Sequence, residues 1–83
     1  MIDSRIIVNL NIHSKNVKID IDIPVNITAN DLIIGLNDAF NLGMNTNDLT
    51  RCYLKSENPI ALLRGDKLIS DYKLRNGSII NIT

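Results

Sequence analysis

Ser78-Ile79-Ile80-Asn81-Ile82-Thr83, entered through Asn76-Gly77, is the stretch that decides the fold. Asn-Gly is a strong tight-turn signal, and the apolar residues after it suit an extended segment that is partly buried. We read a final β-strand that runs to the last residue of the sequence, with no Gly-Gly beyond it. The rest of the chain must supply this strand with neighbours.

The first neighbour is at the other end of the sequence. Between Arg5 and Ile12, residues Ile6, Val8, Leu10 and Ile12 fall on one face and Arg5, Asn9 and Asn11 on the other, with Ile7 the exception. After the polar His13-Ser14-Lys15-Asn16, the residues Val17, Ile19, Ile21 and Ile23 alternate with Lys18, Asp20 and Asp22 up to Pro24. Two such runs joined by a short polar turn predict a β-hairpin.

Pro24 lacks an N–H and stops the ladder, while Thr28, Asn30 and Asp31 can each cap the first turn of a helix. The pattern predicts a helix from about Asn30, with Leu32, Ile33, Leu36, Ala39 and Phe40 as its apolar stripe and Asn37, Asp38 and Asn41 on the wetter side. Gly43 is the expected stop, and Gly35 is expected where the helix packs closely on a sheet. Further on, Arg51–Lys55 predicts a third strand with Cys52 and Leu54 inward, Ser56–Pro59 a turn, and Ile60–Leu63 a short fourth strand. Ser70-Asp71-Tyr72 suits one turn of capped 3₁₀ helix.

A hairpin buries one face, and the single amphipathic helix is its only cover. The last strand then joins the sheet beside the first, a parallel pairing that needs a long crossover. This is an α+β, β-grasp architecture: ββαββ followed by a terminal β, a mixed five-stranded sheet with one helix across one face. Its length of 83 residues allows one domain, residues 1–83, and one core. Leu36 and Ile80 are expected to meet in it.

Composition narrows the function. Nine basic residues balance nine acidic ones, so the long-range field that draws proteins to nucleic acid or anionic lipid is weak. A basic stripe of Lys15, Lys18, Arg51 and Lys55 is interrupted by Asp20 and Asp22, and a nucleic-acid-binding regulator is the weaker alternative. The single cysteine, Cys52, cannot form an intrachain disulfide and points to a reducing compartment; no apolar run approaches the roughly 20 residues of a membrane span. A cytoplasmic chain without signal peptide or membrane insertion is the expectation.

No phosphate loop, nucleophile elbow or zinc motif occurs in the sequence. His13 lacks a second His or Cys to share a metal, Cys52 reads as a buried apolar side chain, and Asp20 and Asp22 read as a solvated face. No cofactor, metal or catalytic residue is expected. The face of the sheet without the helix projects Ile7, Arg51, Tyr53, Lys55, Ile79 and Thr83, more bulk than solubility requires, and is the candidate protein-binding surface. Arg51 and Tyr53 are the strongest single candidates, because these residue types are enriched among binding hot spots.

The segment Ser70-Asp71-Tyr72-Lys73-Leu74, with Asn76-Gly77 and Ile80-Asn81-Ile82 after it, resembles the ubiquitin superfamily pattern. That resemblance implies that Tyr72 packs under its loop and bonds backbone through its hydroxyl. With its short length and terminal strand, the chain more narrowly resembles the YukD/EsaB family of small ubiquitin-like proteins that accompany type VII (WXG100) secretion in Gram-positive bacteria. The resemblance implies an accessory role without catalysis and a protein partner in the secretion machinery. A ubiquitin-like modifier or sulfur carrier would act through a terminal glycine, and Thr83 in that place argues against it. A monomer or a weak dimer is expected, with the second and fourth strands as sheet edges.

Overall fold

The computed structural model describes residues 4–82. Five strands form one sheet: β1 Arg5–Ile12, β2 Val17–Pro24, β3 Leu54–Glu57, β4 Ala61–Leu63 and β5 Ile79–Ile82, in the order β2-β1-β5-β3-β4. The helix α1, Ala29–Phe40, follows β2. β1 and β5 pair in parallel, Leu10 beside Ile80, and the other neighbours are antiparallel. This is the mixed β-grasp sheet that the alternation and connection rules predicted.

One face of the sheet and one face of α1 close a single core. Val8, Leu10 and Ile12 from β1, Leu54 from β3, Leu63 from β4 and Ile80 and Ile82 from β5 are buried with Ala29, Leu32, Ile33 and Leu36 of the helix. Leu36 and Ile80 both belong to this cluster. Of the β2 row only Ile23 is buried, and Ile19 is exposed, because β2 is an edge strand.

The helix starts at a capping box: the Thr28 hydroxyl accepts from the Asp31 N–H at 3.1 Å, and the Asp31 carboxylate takes the Thr28 N–H. Loop carbonyls satisfy further amides at this end, with Lys67 O accepting from Ala29 N and Gly65 O from Asn30 N. The helix ends earlier than the expected Gly43, at Asn41, whose left-handed backbone (φ 53°) closes the last turn on Asn37. Asn tolerates this conformation nearly as well as Gly. Ala39 is exposed and Asn37 is half-buried, its amide bonding both the N–H and the C=O of Met44. Gly35 also departs from expectation: it faces solvent, and a Cβ there would meet nothing within 4 Å.

The third strand is displaced. Thr46–Arg51 forms 3₁₀ turns broken at Asp48, pinned where Asn45 Oδ1 accepts from Asn47 N and Thr50 Oγ1 donates to Asp48 Oδ1 at 2.6 Å. β3 therefore begins at Leu54 and includes Ser56 and Glu57, which the sequence assigned to a turn. Ser56 lies buried in the strand because its hydroxyl donates to Pro59 O at 2.8 Å.

The 3₁₀ turn before β5 spans Ile69–Tyr72 and has no side-chain cap; its first amides donate to Ile27 O and Val25 O instead. The Tyr72 hydroxyl donates to Arg64 O and accepts from Arg64 N, and Lys67 Nζ lies 4.8 Å from the ring centre. Asn76-Gly77 forms the tight turn into β5: Gly77 has φ +90°, and Ser78 N closes on Arg75 O. Asn76 Oδ1 accepts from Ile7 N at 2.8 Å, tying this turn to β1.

Candidate protein-binding face

The face away from the helix is set by register. Since Leu54 and Ser56 point inward, Lys55 and Glu57 point outward; since Ile80 and Ile82 are buried, Ile79 and Asn81 face out. Pairing aligns Lys18, Asn11, Asn81, Lys55 and Leu62 in one row across all five strands, and Asp20, Asn9, Ile79 and Glu57 in the next.

The middle of this face is polar and internally bonded. Asn81 Oδ1 accepts from Asn11 Nδ2 at 3.2 Å and lies 3.2 Å from His13 Nε2, while Asn81 Nδ2 donates to Glu57 Oε2 at 2.8 Å. Asn9 Nδ2 donates to Asp20 Oδ1, and Arg5 Nε makes an ion pair with Asp22 at 3.0 Å. His13 is thus part of a surface amide network. Groups already bonded to one another offer a partner little new hydrogen bonding.

Apolar side chains frame this network. Ile7 stands out at 53 % exposure at one end of β1, and Ile79 is half-buried beside Asn9. Tyr53, just ahead of β3, is 45 % exposed, with Lys55 Nζ 5.9 Å from its ring centre. Four of the six sequence candidates, Ile7, Tyr53, Lys55 and Ile79, therefore lie on or beside one face.

Arg51 does not join them as a strand residue. It ends the 3₁₀ segment and lines a depression of about 270 Å³ with Met44, Asn45, Asp48 and Cys52. The side-chain bonds of Asn45 and Asp48 hold the chain in 3₁₀ geometry there, so strand alternation does not govern Arg51. Thr83 lies outside the described residues. Cys52 is buried, its Sγ donating to Asn45 O at 3.4 Å. Among the described residues no group of three or more His, Cys, Asp or Glu side chains is placed to hold a metal ion.

Two exposed residues were missed. Leu62, paired with Lys55 at the sheet margin, is 44 % exposed, and Ile60 just before β4 is 90 % exposed. With Lys55, Glu57, Ala61 and Asn81 they line an open groove of about 410 Å³. The alternation of Ala61-Leu62-Leu63 held the signal: once Leu63 is inward, Leu62 must be outward.

Over residues 7–82 the chain matches the family described as WXG100 protein secretion system (Wss), protein YukD. The chain belongs to the YukD family. It is a ubiquitin-like protein associated with type VII secretion. Among solved structures, the YukD-family chain is similar to the ubiquitin-like domain from tubulin-binding cofactor B, at 15 % identity and a TM-score of 0.75 over 96 % of this chain and 89 % of the other. The C-terminal ubiquitin-like domain of mouse tubulin-specific chaperone e is similar at 12 % identity and a TM-score of 0.72, over 96 % and 86 % of the two chains. At such identity the likeness shows the shared fold alone. No curated protein matches the chain. No helix among the described residues is long and apolar enough to cross a membrane.

Proposed function

We propose that this YukD-family chain is a non-enzymatic binding module of the type VII secretion system, working in the cytoplasm and holding a protein component of that system against the outer face of its sheet. The observation that supports this most is the exposed Tyr53 ring, with Lys55 beside it and exposed Leu62 paired with Lys55 on the next strand. The core is complete without Tyr53, so stability does not require a large aromatic there. Tyrosine is enriched among hot-spot residues, and a half-exposed ring with a neighbouring ammonium can anchor a partner.

Tyr53→Ala tests the reading in a strain whose own gene has been deleted. Complementation with the variant is expected to lower export of WXG100 substrates relative to the original chain, while unfolding free energy moves by only about 0.5 kcal/mol, as for an ordinary surface change. Full export by Tyr53→Ala, and by the double variant Tyr53→Ala/Ile79→Ser, would remove the outer face from the mechanism. Unchanged export in the deletion strain itself would remove the role altogether.

A further inference from the structure

Asn76-Gly77 is the only Asn-Gly pair in the sequence, and both residues are exposed. Ile7 of β1 holds the two of them. The Gly77 N–H donates to Ile7 O at 3.0 Å, and the Ile7 N–H donates to Asn76 Oδ1 at 2.8 Å. Two residues further along each strand the Asn9 N–H donates to Ser78 O at 2.9 Å, so Asn76 Oδ1 stands where the main-chain oxygen of residue 76 would be if the parallel ladder ran on. A side-chain amide thus closes the end of the β1–β5 pairing.

We propose that Asn76 is a site of spontaneous deamidation that pairing with β1 holds off, so that the residue converts only in molecules whose turn into β5 has opened. The chemistry needs no partner beyond water. The Gly77 nitrogen loses its proton to solvent base and attacks Asn76 Cγ; the new N–Cγ bond closes a five-membered imide as the Cγ–Nδ2 bond breaks and ammonia leaves. Water then opens the imide at Cγ to give aspartate, or at the main-chain carbonyl carbon to give isoaspartate, through which the chain runs one carbon longer. Glycine puts no side chain in the way of the attack. Exposure admits base and water, so burial is not the guard. The guard is the hydrogen bond of the nucleophile: while Ile7 O accepts the Gly77 N–H, removing that proton would leave an amide anion facing a carbonyl oxygen. The Ile7 N–H draws electrons from Asn76 Cγ, which favours attack, but a protonated amide has no free pair to attack with. Aspartate keeps an oxygen for the Ile7 N–H, whereas the longer path of isoaspartate no longer fits both bonds to Ile7.

Peptide mapping that separates asparagine, aspartate and isoaspartate at position 76, during incubation in mildly alkaline buffer, tests this. The folded chain is expected to convert at least about tenfold more slowly than the same chain in concentrated urea, the ratio given by a preference of about 1.4 kcal/mol for the closed turn. Over a series of lower urea concentrations the Asn76 rate and the exchange rate of the Gly77 amide proton should climb together, since one opening frees both. After refolding, the isoaspartate form is expected to unfold at lower urea than the original chain, and Asn76→Asp at nearly the original midpoint. Equal conversion in folded and unfolded chain, conversion that stays flat while Gly77 exchange climbs, an isoaspartate form as stable as the original, or a loss in Asn76→Asp as large as in the isoaspartate form would each overturn the proposal.

Discussion

Ser78 shows how much one small side chain can organise. It is buried, and its hydroxyl donates to Asn58 O while accepting from Arg75 N at 2.9 Å, joining the turn before β5 to the loop before β4. Alternation with Ile80 and Ile82 sets Ser78 inward in the stretch read as the final strand, but its hydrogen-bond partners come from distant segments and could not be read from spacing. Ser56 was assigned to a turn, because serine shortly before Asn-Pro reads as a turn residue. Large apolar residues were legible: Val8, Leu10, Cys52, Leu54 and Ile80 are inward as alternation required. Truncating Ile80 or Leu36 to Ala leaves a cavity in the one core, and each is expected to cost about 2–5 kcal/mol. Urea titrations of the two variants check this, and a loss below 1 kcal/mol in Ile80→Ala would contradict its central placement.

At the scale of elements, the helix was found by its apolar stripe and by Thr28 and Asp31, and its interior offers a simple test. Gly35 is exposed, with open space where a Cβ would stand, and serves no close approach. Gly35→Ala is therefore expected to stabilise the protein by roughly 0.5–1 kcal/mol, through reduced backbone freedom in the unfolded chain. A lower urea midpoint in that variant would indicate crowding that the helix does not display. Element ends were harder to read. Asn41 ends α1 because asparagine enters left-handed geometry, and β3 starts late because side-chain bonds of Asn45 and Asp48 compete with the extended backbone. Those bonds set the position of Arg51, which is why alternation misassigned it.

Across the whole molecule, the strand order was legible because few connections satisfy a hairpin, one helix and a final strand that must lie beside the first. β1 is bonded on both sides and buries Val8, Leu10 and Ile12, whereas β4 is short and bonded on one side. Hydrogen exchange in dilute protein is expected to find the β1 amides opening only with global unfolding, and those of Ala61–Leu63 earlier, through local opening. Faster exchange in β1 than in β4 would contradict this hierarchy. Everything in the sheet depends on β5, which stands between β1 and β3 and, among the described strands, alone links the two hairpins. A ribosome makes β5 last of the five strands, and until residues 79–82 clear the exit tunnel the nascent chain has two hairpins and no common sheet. Domains generally fold as units during synthesis, but this sheet has to wait: until β5 emerges, the facing edges of β1 and β3 lack the strand that pairs with both.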